Sequence, residues 1–205
     1  MKLSNKFTLC RVLGAPIFFL IYFIPVWTGF FAAPSVFVMI PLLAFLEFTD
    51  FLDGFFARRN NEVSDFGKLF DPFGDVMLNL TIFATLLFKG FAGIAFMPPA
   101  IFILIVYREF SMNFVRMIAT KRGISIAARK GGKFKTVLYI ASGFFALAIE
   151  CVARLGFDIS SALPSLKIVC VVLFAGCLAA SYLSFADYLS HFGEIFKDEA
   201  SDTGK

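Results

Sequence analysis

Long apolar runs alternate along this chain with short polar clusters, and the length of the runs decides the fold class. Residues 11–31, 34–58, 67–88, 93–120, 136–152 and 164–189 form six such runs, with Pro34 and Pro164 placed to open two of them. An α-helix rises about 1.5 Å per residue, so crossing a bilayer takes about 20 residues, close to the length of each run. Inside lipid, a helix satisfies all of its backbone polar groups within one segment. The pattern predicts an all-α, polytopic integral membrane protein with six transmembrane helices. Residues 1–190 read as one membrane domain and residues 191–205 as a polar, mildly acidic cytosolic tail.

Composition supports that class, since 205 residues with 59% hydrophobic side chains, 17% charged and a mean hydropathy of +0.83 lie outside the range of soluble domains. The first apolar run continues past any plausible cleavage point, so it reads as a span and not as a signal peptide. Lys2, Lys6 and Arg11, then Arg58, Arg59 and Lys68, then Lys121, Arg122, Arg129, Lys130, Lys133 and Lys135 would share one side of the membrane, against Lys89, Arg154 and Lys167 on the other. The positive-inside rule therefore predicts both termini in the cytosol. The net charge of +4 suits an anionic lipid surface, and no nucleic-acid partner is expected. Cys10, Cys151, Cys170 and Cys177 show no C-x-x-C pairing and read as buried, inert thiols.

Four aspartates, Asp50, Asp53, Asp71 and Asp75, fall within one stretch of this apolar chain. Asp50 and Asp53 are three apart on the second predicted helix and Asp71 and Asp75 four apart on the third, so each pair lines one helical face. Counted back from Arg58, Asp53 and Asp50 lie about 7.5 and 12 Å along their helix, while Asp71 and Asp75 lie about 6 and 12 Å beyond Gly67. Antiparallel neighbours would bring the four carboxylates to matching depths. Inserting one carboxylate costs about 2.5 to 3.5 kcal/mol, so four together require compensation. Two divalent ions about 3.5 to 4 Å apart would provide it and would form the clamp used for displacement at phosphorus. Salt bridges to Arg58, Arg59 and Lys68 are the alternative, but they leave the fixed spacing unexplained. Gly54 and Ala57, beside the carboxylates, either leave room for a ligand or permit close helix packing. Glu47, one turn before Asp50, is either a supporting partner of the acidic group or a polar contact between helices, and His191 reads as a surface residue.

The full stretch, Asp50-x-x-Asp53-Gly54-x-x-Ala57-Arg58, eight residues, then Gly67-x-x-x-Asp71-x-x-x-Asp75, resembles the signature of the CDP-alcohol phosphotransferases, membrane enzymes of phospholipid synthesis. The resemblance implies Mg²⁺ or Mn²⁺, as two ions, on Asp50, Asp53, Asp71 and Asp75. It implies that Asp50, Asp53, Gly54, Ala57, Arg58, Gly67 and Asp71 bind the cytidine diphosphate part of the donor, and that Asp75 is the general base. It further implies a homodimer in the bacterial inner (cytoplasmic) membrane, multi-pass, with its active site facing the cytosol.

A second cluster bears on the acceptor. Arg108 and Arg116 on the fourth predicted helix would face Lys133 and Lys135 at the start of the fifth, a grouping suited to a phosphate dianion. The positive-inside rule already accounts for Lys121, Arg122 and Lys130, whereas Arg108 and Arg116 lie within the span, where burial is costly. Asn5, Thr8, Arg11 and Pro16, the Arg108-Glu109 pair, and Gly132-Lys133-x-Lys135-Thr136 resemble the pattern of the bacterial phosphatidylglycerophosphate synthases of the family. One position departs from it, because Val76 follows the last aspartate where lysine is usual. The expected activity is transfer of a phosphatidyl group from CDP-diacylglycerol to glycerol 3-phosphate, giving phosphatidylglycerophosphate and CMP in the lipid bilayer. The same chemistry with inositol phosphate, serine or choline is one alternative. A cation transporter is another, since intramembrane acids also mark ion pathways.

Overall fold

Several apolar runs of the sequence become helices that extend beyond their hydropathic limits. The protein is seen here as a computed structural model that describes residues 3–59, 65–123 and 130–192. Among the described residues six helices follow in order: α1 (Leu3–Thr28), α2 (Ala32–Arg59), α3 (Asp65–Thr85), α4 (Pro99–Lys121), α5 (Lys130–Arg154) and α6 (Leu163–Phe192). No strand occurs among the described residues. Among the described residues four stretches, Asn5–Thr28, Ala32–Thr49, Gly131–Arg154 and Leu163–Ser190, are long and apolar enough to cross a membrane. In α3 and α4 the apolar character is interrupted by Asp71 and Asp75, and by Arg108, Glu109 and Arg116. Leu13, Ile17, Leu20 and Ile24 of α1, Phe37 of α2 and Val172 and Leu183 of α6 face outward, an apolar surface that suits lipid and not water. The chain is an all-helical membrane protein.

Several boundaries differ from expectation for identifiable reasons. α1 begins at Leu3, well before Arg11, and the polar residues of its first turns, Asn5, Thr8 and Arg11, are buried against the bundle. α5 begins at Lys130, so Lys133 and Lys135 stand on a helix and not in a connection. α4 starts only at Pro99, where proline suits the first helical turn. The segment before it folds back, with the N–H groups of Phe96 and Met97 both donating to the Leu86 carbonyl at 3.0 Å. α6 continues to Phe192, so the expected start of the tail falls inside it, and the rest of that tail lies outside the described residues. Cys151, Cys170 and Cys177 are buried thiols, but Cys10 is exposed on α1, where an outward apolar position fits the same sequence pattern.

α1 packs against α2 and α3, α5 against α6, and α4 against both α3 and α6. Two glycines set the close approaches of α1. A Cβ on Gly14 would lie 2.5 Å from the Leu46 side chain of α2, and one on Gly74 of α3 would lie 2.7 Å from Thr8 Cγ2. Phe18, Tyr22, Met39, Leu43, Phe83, Leu147 and Phe174 fill the interior.

One end of the bundle is fastened by a buried ion pair. Arg154 donates to Glu150 Oε1 at 3.1 Å, to Ser35 Oγ at 2.8 Å and to the Tyr22 carbonyl at 2.8 Å. Glu150 in turn accepts the N–H groups of Phe91 and Ala92 at 2.7 and 3.1 Å. α1, α2, α5 and the loop before α4 are thereby joined at one point. Fully bonded, such a pair offsets the desolvation of its charges.

Candidate active site

Chemistry concentrates at the opposite end, where the N-terminal halves of α1, α3 and α5 meet the C-terminal half of α4. Asp71 and Asp75 stand one turn apart on α3 and are only partly buried, with side-chain exposures of 41% and 35%. The Arg11 guanidinium, 1% exposed, reaches across from α1 and donates to Oδ1 of both, to Asp71 at 2.5 Å and to Asp75 by a shorter contact. Asn5, Thr8 and Arg11 recur at helical spacing and point one buried stripe toward α3, and Gly74 gives that stripe its room. Arg11 is thus a site residue that its sequence pattern flagged without revealing its task. Its fork fixes two carboxylates in one orientation.

A cavity of about 200 Å³ opens beside these carboxylates. Asp71, Asp75, Arg108, Arg116, Lys133 and Lys135 all line it, so the predicted base and the predicted acceptor cations come together in one chamber. The cations differ in their commitments. Arg108 donates to Glu109 Oε1 at 2.9 Å and to the Ser181 carbonyl at 2.8 Å, and Lys135 donates to the same Glu109 oxygen at 2.8 Å. Tyr139 adds a third donor to that oxygen at 3.0 Å. Glu109 is therefore the hub that holds two of the cations in the bundle. Arg116 and Lys133 have no carboxylate partner within ion-pair distance among the described residues.

Val76, the position that departs from the family pattern, is buried and lines the same cavity. Arg11, itself part of that pattern, stands against Asp75 from the neighbouring helix and is therefore no substitute for the usual lysine. The alternative to a metal site was ion pairing with Arg58, Arg59 and Lys68, whose side chains lie outside the described residues; among the described side chains Arg11 bonds to both Asp71 and Asp75. Asn79, one turn beyond Asp75, also lines the chamber and donates to the Asp75 main-chain carbonyl at 2.9 Å.

The side chains of Asp50, Asp53, Ala57 and Arg58 lie outside the described residues, as do those of Arg59, Lys68 and His191. Asp50, Asp53, Gly54, Ala57 and Arg58 fall on the C-terminal part of α2, and Gly67 on the first turn of α3. Glu47 is half-buried on α2. No group of three or more His, Cys, Asp or Glu side chains forms among the described residues, where Asp71 and Asp75 alone of the four aspartates can be followed. These two fit a cation. They are hard oxygen donors on one face, and a carboxylate bonded through one oxygen can still ligate through the other.

The site joins paired carboxylates and a cluster of cations at one end of an apolar helical bundle. A family model described as CDP-alcohol phosphatidyltransferase matches residues 1–174, and the chain belongs to that family. It is an enzyme of phospholipid synthesis, which sets aside the transporter alternative. The chain is 34% identical to the CDP-diacylglycerol--glycerol-3-phosphate 3-phosphatidyltransferase of Treponema pallidum (strain Nichols), over 96% of this chain and 92% of that one. It is 33% identical to the enzyme of the same name from Bacillus subtilis (strain 168), over 66% of this chain and 70% of that one. The Aquifex aeolicus (strain VF5) protein, again of that name, is 29% identical over 97% of this chain and all of its own length.

Proposed function

We propose that the protein transfers the phosphatidyl group of CDP-diacylglycerol to glycerol 3-phosphate, releasing CMP and forming phosphatidylglycerophosphate. The observation that carries this reading is the shared chamber, in which Asp75 lies with Arg116 and Lys133, two cations without a carboxylate partner among the described residues. The names of the similar proteins from Treponema, Bacillus and Aquifex support it.

The acceptor phosphate sits on Arg116 and Lys133, with the remaining ammonium donors of Lys135 within the same wall. This orients the far hydroxyl toward α3. Asp75 takes the proton of that hydroxyl as its oxygen bonds to the lipid-side phosphorus of the donor, and the phosphoanhydride bond to CMP breaks. Arg11 keeps Asp71 and Asp75 aligned through the step. Asp50, Asp53, Asp71 and Asp75 would hold Mg²⁺ or Mn²⁺, as two ions, and the bound metal supplies charge stabilisation for the phosphoryl oxygens and the leaving group. Gly54, Ala57, Arg58 and Gly67 with Asp50, Asp53 and Asp71 form the nucleotide side. All six helices cross the bacterial inner membrane, with both termini and the chamber on the cytosolic side, where the Lys and Arg clusters gather. The working unit is a homodimer.

The test is to incubate purified protein with CDP-diacylglycerol and, separately, glycerol 3-phosphate, inositol phosphate, serine and choline, and to weigh the lipid product by mass spectrometry. Phosphatidylglycerophosphate and CMP should form with glycerol 3-phosphate, stop on chelation and return with Mg²⁺ or Mn²⁺. Better turnover with another acceptor would overturn the acceptor assignment, and turnover indifferent to chelation would overturn the metal.

A further inference from the structure

We propose that Ser184 on α6 is the subsite for the acceptor hydroxyl that does not attack, so that the chamber selects a phosphorylated vicinal diol over a phosphorylated simple alcohol. This deepens the proposed function and rests on glycerol 3-phosphate being the acceptor.

Four hydroxyl side chains line the chamber: Thr136, Tyr139, Ser184 and Tyr188. Thr136 Oγ1 donates to the Gly132 carbonyl at 3.2 Å, and the Tyr139 hydroxyl donates to Glu109. Ser184 is 3% exposed, and its Oγ has no hydrogen-bond partner among the described residues. A helix offers any serine a carbonyl three or four residues back. Its neighbours on α6 use that option, Ser181 donating to the Leu178 carbonyl at 2.8 Å and Ser190 to the Asp187 carbonyl at 2.9 Å. Ser184 does not. A buried hydroxyl left in that state is unfavourable, and its partner is then expected from outside the protein.

The space in front of Ser184 is kept open by backbone. A Cβ added to Gly131 would lie 3.7 Å from Ser184 Oγ, and one added to Gly132 would lie 3.9 Å from the same atom and 3.7 Å from the Tyr188 hydroxyl. A Cβ at either position would sit in van der Waals contact with Ser184, so the glycines leave this side of it free of side-chain atoms. The glycine pair immediately precedes Lys133, so a ligand whose phosphate is held by Lys133 passes this gap on its way toward Asp75. The central hydroxyl of glycerol 3-phosphate is the group that falls between its anchored phosphate and its attacking end. Serine or choline presents no hydroxyl at that place.

The experiment compares glycerol 3-phosphate with 3-hydroxypropyl phosphate, which keeps the phosphate and the attacking primary hydroxyl and lacks only the central one. Wild-type kcat/KM should favour glycerol 3-phosphate by about three- to tenfold, the worth of one neutral hydrogen bond. In Ser184→Ala the preference should fall to near unity through loss of glycerol 3-phosphate turnover, with 3-hydroxypropyl phosphate little changed. Ser184→Thr, which keeps the hydroxyl, should retain the preference. A wild type that uses both acceptors equally overturns the subsite while leaving the acceptor assignment standing. A Ser184→Ala protein that slows equally on both has lost only structure, and that also overturns it. A wild type that uses neither acceptor refutes the underlying function itself.

Discussion

Arg116→Ala separates binding of the acceptor from integrity of the bundle. Arg116 lines the chamber beside Lys133 and meets no carboxylate among the described residues, so truncating it leaves no acid there newly unpaired. Arg108 is the contrasting case, since its loss would remove one of three donors from buried Glu109 and a bond to the α6 backbone. A hydrogen bond to a charged group contributes about 1.5 to 3 kcal/mol, which corresponds to about ten- to 150-fold in affinity. Arg116 is half-buried, which places the expectation toward the lower end of that range. Arg116→Ala should therefore raise the KM for glycerol 3-phosphate about tenfold or more while the KM for CDP-diacylglycerol and the thermal midpoint in detergent stay nearly unchanged. The assay is steady-state CMP release with each substrate varied in turn. A rise of less than threefold, or a selective loss of donor affinity, would refute the division of the chamber into committed and available cations.

Asp75→Asn should still bind CDP-diacylglycerol but turn over at a small fraction of the wild-type rate, because an amide cannot accept the alcohol's proton. Unchanged turnover would remove Asp75 from the base role, and loss of donor binding would make it chiefly a metal ligand. Gly90→Ala should lower stability by about 3 to 5 kcal/mol, since its Cβ would fall 2.3 Å from a Glu150 oxygen that Phe91, Ala92 and Arg154 hold in place. A thermal midpoint in detergent within a degree of wild type would show that Glu150 moves aside freely.

The helices and the convergence of four cations on one cavity were legible in the sequence because both are matters of spacing. Apolar runs of bilayer length mark spans whatever they pack against, and Arg108, Arg116, Lys133 and Lys135 converge because α4 ends and α5 begins at the same end of the bundle. Partner choice was not legible. Arg11 is separated from Asp75 by 64 residues and Lys135 from Glu109 by 26, and no local pattern says which acid takes which base. Arg154 looked like an ordinary charge on the far side of the membrane, yet it is buried and bonded to three groups on different helices. Helix ends were also misjudged where polar residues are buried. Hydropathy treats Asn5, Thr8 and Arg11 as solvent-facing, while their spacing puts them on one inward stripe.

The charge balance of the chamber bears on which acceptor it can hold. Arg11 bonds to both Asp71 and Asp75, and Arg108 and Lys135 both bond to Glu109. Half-buried Arg116 and exposed Lys133 line the same cavity and have no carboxylate partner among the described residues. A phosphate monoester, close to doubly charged at neutral pH, neutralises them, whereas free serine or choline brings no net negative charge.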